Sequence, residues 1–313
     1  MDRNGTSATG VRWSRRFLTL IGATSLLVGL VVNNASADGV GVRVNEFHDA
    51  SDKLTVSVFS LVGSPAQQHW NDDTVMLPDP DMVAIGGGGT ATEGPPGALL
   101  TASYPNADLS GWVVSSKDHV ATNPHILTTY VIGLKVKGMS RDELLRYVGT
   151  DHGDSGTAPH PEKSVGLPSN DYVMVGGGFK VDYGGSGNMA TASFPSAPTT
   201  WKARSKDHLE ADPANLTTYV IGIKRFLPVG EVLGYVTHSE GAQTPHPRAT
   251  ATVPNGYVLT GGGGDIDYNG SGNMLWSLQP TTDRNQYFTA AGKDHLVPDP
   301  ATITAYALSI RIQ

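Results

Sequence analysis

An all-β fold is what this sequence predicts, and three observations carry the prediction. Glycine and proline are abundant, at 38 and 20 residues, while only 16% of the chain is charged. Apolar residues alternate with period two between clusters of turn-forming residues. Helix signals are almost absent, the one good candidate being Ser140 to Arg146, where Glu143 follows the Ser cap by three residues.

Taken from the N-terminus, residues 1–37 read as a bacterial-type signal peptide. Arg3, Arg12, Arg15 and Arg16 precede an apolar run from Phe17 to Val32 and the small-x-small pattern Ala35-Ser36-Ala37. The run is about 16 residues, short for a membrane span. Ser14-Arg15-Arg16-Phe17-Leu18 also resembles a twin-arginine export signal without its usual spacer, so either export route fits. The expected product is a secreted chain starting near Asp38, with no stable membrane insertion after cleavage.

Loss of residues 1–37 removes four arginines and Asp2, which takes the formal charge from −7 to −10. Basic residues are scattered singly, which argues against a nucleic-acid partner. The chain has no cysteine, so an exported protein of this size must rely on core burial alone.

Three segments then repeat one pattern. Glycine runs stand at Gly86–Gly89, Gly176–Gly178 and Gly261–Gly264, and each is followed by an aromatic-led stretch ending in Lys-Asp-His: Lys117-Asp118-His119, Lys206-Asp207-His208 and Lys293-Asp294-His295. Five residues after each histidine comes Pro124, Pro213 or Pro300, and eleven after it Tyr130, Tyr219 or Tyr306. Spacing this regular marks one unit used three times. The boundaries are an N-terminal segment at 38–53 and repeats at 54–143, 144–231 and 232–313. The first is the degenerate copy, with only His69-Trp70 where the others have Pro159-His160-Pro161 and Pro245-His246-Pro247.

Within a unit the strand beginning at Tyr130 places Tyr130, Ile132, Leu134 and Val136 on one face, and Tyr219 and Tyr306 begin equivalent faces. Leu54, Val56 and Val58 alternate likewise and predict a strand that completes the first unit. The Asx-Pro pairs at Asn123, Asp212 and Asp299 predict a turn joining the Trp-bearing strand to the Tyr-bearing strand as a hairpin. Asp182-Tyr183 to Asn188 and Asp267-Tyr268 to Asn273, with glycines between, predict a second hairpin tip. For the whole, a closed pseudo-threefold β-prism-like arrangement is favoured over three consecutive β-sandwich lobes.

Two groups of residues carry candidate chemistry. The glycine-rich tips place Asp182, Tyr183, Asn188, Asp267, Tyr268 and Asn273 where an amide, a carboxylate and a ring face could bind a sugar, though turn statistics favour the same residues. The Lys-Asp-His triplets set a carboxylate beside an imidazole three times. Closure could bring His119, His208 and His295 together on one zinc, but the adjacent lysines oppose a cation, and a structural role for the triplets is favoured. Its specific form is that Asp118, Asp207 and Asp294 accept backbone N–H groups of their own loops. His152, His160, His238 and His246 read as solvated loop histidines.

The leading functional expectation is a secreted, non-enzymatic, lectin-like protein that recognises a glycan or cell-envelope polymer, with no cofactor required. Alternatives are a secreted metal-dependent hydrolase using zinc, or calcium, at the triplets, and a structural surface protein.

Overall fold

The computed structural model describes residues 38–270 and 272–313; the signal-peptide expectation for residues 1–37 lies outside the described residues. Over the described residues the chain is all-β, with three seven-stranded sheets and one short helix, Arg141–Leu145. That helix is the one the sequence predicts, with the Ser140 side chain accepting from the Glu143 N–H at 3.3 Å. No helix of the described residues is long and apolar enough to cross a membrane.

Each sheet takes strands from two segments of the chain. The first runs in the order Gly39–Val40, His69–Met76, Gly111–Lys117, Leu99–Pro105, Tyr172–Asp182, Asn215–Lys224, Val148–Asp154. In the second, Glu162–Gly166, Thr200–Lys206 and Met189–Ala197 continue into Val258–Asp267, Thr302–Ile312, Gly230–Glu240 and Phe226–Leu227. The third joins the end of the chain to its beginning: Arg248–Thr252, Tyr287–Lys293 and Met274–Pro280 lie beside Val83–Thr90, Thr128–Val136, Leu54–Val62 and Val42–His48. The strand expected at Leu54 is present, with Leu54, Val56 and Val58 fully buried.

Both expected hairpins are corrected by this pairing. The Trp-bearing strand Gly111–Lys117 pairs with Leu99–Pro105 and His69–Met76, and the Tyr-bearing strand Thr128–Val136 lies in a different sheet. Likewise the glycine-bearing strand Tyr172–Asp182 and the strand Met189–Ala197 are in different sheets. The Asx-Pro and Gly-rich connections therefore cross between sheets. The physical reason is that the glycine-bearing strand is buried on both faces, so it pairs edge to edge with the equally buried Tyr-bearing strand, Gly178 opposite Tyr219, and leaves its faces for other sheets.

What those faces touch explains the glycines. A Cβ on Gly177 would stand 2.2 Å from the Trp201 indole, and one on Gly262 would stand 2.1 Å from the Phe288 ring. A Cβ on Gly176 would meet the Ile85 carbonyl oxygen at 2.1 Å; one on Gly86 would meet that of Thr260 at 2.2 Å, and one on Gly261 that of Val175 at 2.7 Å. The three strands thus approach backbone to backbone, which only glycine allows. Around them a continuous core includes Ile85, Trp112, Val175, Phe179, Leu259 and Phe288, each almost fully buried. Fully burying each such side chain contributes roughly 1.5 to 3 kcal/mol.

Gly176→Ala has no flexible side chain to displace, only the Ile85 backbone. Its expected cost is about 3 kcal/mol or more, measured by denaturant unfolding, whereas Gly94→Ala, whose Cβ would find its nearest neighbour at 3.9 Å, should change stability by less than about 0.5 kcal/mol. Equal effects at the two positions would refute the close-approach account.

Candidate functional site

The strands ending in Lys-Asp-His converge, and the three histidines meet. His119, His208 and His295 are all buried, with ring centroids 5.2, 5.4 and 5.7 Å apart. The structure therefore does bring together the three residues that the sequence nominates for zinc. The nitrogens of His119 and His208, however, turn toward backbone. His119 Nε2 lies 2.5 Å from the His208 carbonyl oxygen, His208 Nε2 lies 2.6 Å from that of His295, and His119 Nδ1 lies 2.5 Å from that of Ser186. In neutral His119 only one of its two nitrogens can donate. Among the described residues neither nitrogen of His295 has a hydrogen-bond partner, and no group of three or more His, Cys, Asp or Glu is arranged to hold a metal ion.

The lysines of the triplets are buried beside the histidines and grip the next loop around. Lys117 Nζ donates to the carbonyls of Ser186 and Gly187 at 2.6 and 2.9 Å, and Lys206 Nζ to that of Gly270 at 3.1 Å. Lys293 Nζ donates to that of Thr92 at 2.8 Å. Burial pushes Lys117 down to about 8 and Lys293 down to about 7. Burial also lowers His119 and takes His295 down to about 3, with the nearby Lys293 adding to the shift. Hydrogen bonding of loop to loop is what the lysines, His119 and His208 accomplish.

The aspartates behave partly as expected. Asp118 accepts from the Asn123 N–H at 2.8 Å and Asp294 from the Asp299 N–H at 3.4 Å. Asp207 is bonded instead to His160 Nε2 at 3.0 Å. Equivalent imidazoles approach the other two, His69 at 3.2 Å from Asp118 and His246 at 3.3 Å from Asp294. Sequence reasoning missed these three pairs, although His69, His160 and His246 stand 49, 47 and 48 residues before the aspartates they meet, a near-regular spacing that is the signal that finds them.

The glycine-rich tips are held from a second side by Asp212 and Asp299, which the sequence marks only as turn residues. Asp212 accepts from the N–H groups of Gly184 and Gly185 at 3.2 and 2.9 Å, and Asp299 from those of Gly270 and Gly272 at 3.1 and 2.9 Å. Asn188 and Asn273, nominated for sugar contact, are fully buried. Each spends its amide on two carbonyls, Pro159 and Asp212 in one case, Pro245 and Asp299 in the other. Their carboxamides are out of reach of an external ligand. Tyr183 and Tyr268 are half-buried, with Lys117 Nζ 3.9 Å and Lys206 Nζ 4.5 Å from their ring centroids. Asp182 and Asp267 remain exposed.

Beside Asp182 and Tyr183 the surface opens into a polar groove of about 300 Å³, lined also by Asn71, Asp72, Ser115 and Lys180. Lys180 Nζ bonds Asp72 at 2.9 Å, and the Tyr104 hydroxyl donates to the same carboxylate at 3.1 Å. Burial and then Asp72 push the Tyr104 phenol up to about 12, while for Lys180 burial, which lowers it, is outweighed by Asp72 and Tyr104 together, and the ammonium is raised. Tyr104 stacks on Tyr219 with centroids 5.0 Å apart. At the matching place beside Asp267 and Tyr268, Arg204 stands where Ser115 does and is ion-paired with Asp265. The groove thus offers donors, acceptors and aromatic surface in one place. Compared with protein-family models and with the curated proteins, the chain matches none.

The buried imidazoles make the fold acid-sensitive. His295 and His125, the latter lowered by burial to about 4, are neutral in the folded state and take up protons near 6.5 when unfolded. The unfolded state then binds more protons between those values, so stability falls as pH drops below about 6.5. Denaturant unfolding from pH 7.5 to 4.5 should show this decline, and His125→Asn should flatten it. A wild-type profile that is level over this range would refute the neutral-imidazole assignment.

Proposed function

We propose that the protein is a non-enzymatic binding protein of lectin-like character, exported from the cell, that recognises a glycan or cell-envelope polymer. The observation that carries this reading is the groove at Asp72, Lys180, Asp182 and Tyr183. Its mixture of a cation, carboxylates, an amide and aromatic surface suits hydroxyl-rich ligands, which need donors and acceptors together with an apolar face. Against catalysis at the triplets stands the use of their lysines and of His119 and His208 in holding backbone carbonyls. The arrangement we infer is three repeats closed about a pseudo-threefold axis, an inference supported by the pairing of the last segment with the first and by the meeting of three equivalent histidines.

A second reading, a structural surface protein, is favoured by the same buried network, since loops tied to one another at both Lys and Asp resist opening. Binding separates the two. A glycan array probed with the purified protein should return at least one class of ligand, and Lys180→Met should weaken that binding at least tenfold with a melting temperature within about 3 °C of wild type, the pair with Asp72 being partly exposed. No binding across cell-wall, plant and animal glycans would leave the structural reading in its place.

A further inference from the structure

A second opening lies at a seam between sheets and differs from the groove in its chemistry. It is a cleft of about 610 Å³ where the start of the strand Tyr172–Asp182 faces the strand Gly230–Glu240 and the turn before Trp201. The volume is that of a small-molecule site, roughly 300 to 1,000 Å³.

The repeated pattern shows why the cleft exists here. The turn between Pro195 and Trp201 has five residues, against six between Pro105 and Trp112 and seven between Pro280 and Phe288. In the six-residue case the turn reaches inward, so that the Leu109 carbonyl accepts from the Ala84 N–H at 2.7 Å, and Arg141 of the short helix bonds the Met82 and Asp108 carbonyls. In the seven-residue case Gln286 does both tasks, its Oε1 accepting from the Leu259 N–H at 2.8 Å and its Nε2 donating to the Tyr257 carbonyl at 2.9 Å. Met174 occupies the same place as Ala84 and Leu259, immediately before the same register shift. By the same register its N–H is directed as those of Ala84 and Leu259 are, but among the described residues the turn before Trp201 supplies no acceptor to it, and Met174 lies in the cleft wall.

The remaining lining defines a ligand. Tyr235 is 52% exposed, and its equivalents by register are Gly149 and Ser57, so this ring is special to the one seam. Tyr172 contributes a second ring, lying over Gly149, where a Cβ would come within 2.7 Å of it. Arg225 and His238 are the titratable groups besides the tyrosines, no carboxylate lines the cleft, and Arg225 has no ion pair among the described residues. In a chain of formal charge −7 that is a local reversal of sign. A guanidinium and an open N–H suit a carboxylate, and exposed tyrosine faces suit the C–H face of a pyranose.

We propose that this cleft binds a saccharide bearing a carboxylate, a uronic-acid-containing glycan segment. The choice of a sugar rests on the glycan reading above; the place and the charge do not. The sugar ring packs on Tyr235, and the carboxylate meets Arg225 and the Met174 N–H.

The test is titration calorimetry of the purified protein with oligomers of glucuronic, galacturonic and mannuronic acid, and with the same oligomers after reduction of their carboxyl groups. At least one acidic oligomer should bind at least tenfold more tightly than its reduced form. Arg225→Gln should remove that difference, Tyr235→Ala should weaken both forms, and Lys137→Met, an exposed cation outside both openings, should change neither. Circular dichroism and melting confirm that the variants are folded. An acidic oligomer bound equally well by Arg225→Gln, or no acidic oligomer bound at all, overturns the inference. If a neutral glycan then binds and is lost in Lys180→Met, the glycan reading survives alone; if no glycan of either kind binds, both fall.

Discussion

Three glycine-bearing strands meet backbone to backbone at the centre of this protein, and the other features follow from that approach. Gly86 lies against the Thr260 carbonyl, Gly176 against that of Ile85, and Gly261 against that of Val175, each at a separation that excludes a Cβ. With no side chains between them, the strands cannot bury apolar volume on that side. Their other contacts must supply it, and Trp112, Trp201 and Phe288 do so by lying flat on Gly87, Gly177 and Gly262. Packing an aromatic ring on glycine recovers the buried area that glycine itself lacks. A cysteine-free chain can therefore hold three sheets together on core contacts alone.

Close approach of strands also forces polar chain ends into the interior, and the triplets are the response. Each strand that ends in Lys-Asp-His arrives where the next glycine-rich loop exposes carbonyls, and lysine and histidine N–H groups satisfy them. An unmet buried carbonyl costs free energy comparable with a lost hydrogen bond. The depressed pKa values of Lys117, Lys293 and His295 express the same burial from the side of the donors. Repetition of the triplet thus reflects repetition of a structural need.

At the surface openings, by contrast, the copies differ. The polar groove opens beside Ser115, where the next copy has Arg204 paired with Asp265, and the seam cleft opens where the turn is shortest. Conserving the framework in triplicate while varying a turn by one residue changes a wall without disturbing the centre.

The strand content, the helix at Arg141 and the burial of Leu54, Val56 and Val58 were legible in the sequence because period and capping are local properties. So was the meeting of His119, His208 and His295, since residues at one position of a repeat occupy one position of its assembly. Pairing was not legible: Asn123-Pro124 and the loop from Asp182 to Asn188 have the composition of hairpin turns, yet they carry the chain from sheet to sheet. Local turn chemistry specifies a reversal of direction without specifying the partner strand. Burial of Asn188 and Asn273, the roles of Asp212 and Asp299 and the opening at Tyr172 and Tyr235 were likewise decided only by the tertiary structure, because each depends on groups brought close from distant parts of the chain. The sequence by itself determined which backbone segments extend and where the glycine runs fall; the packing of those segments against one another decided which side chains are spent on the fold and which are left exposed.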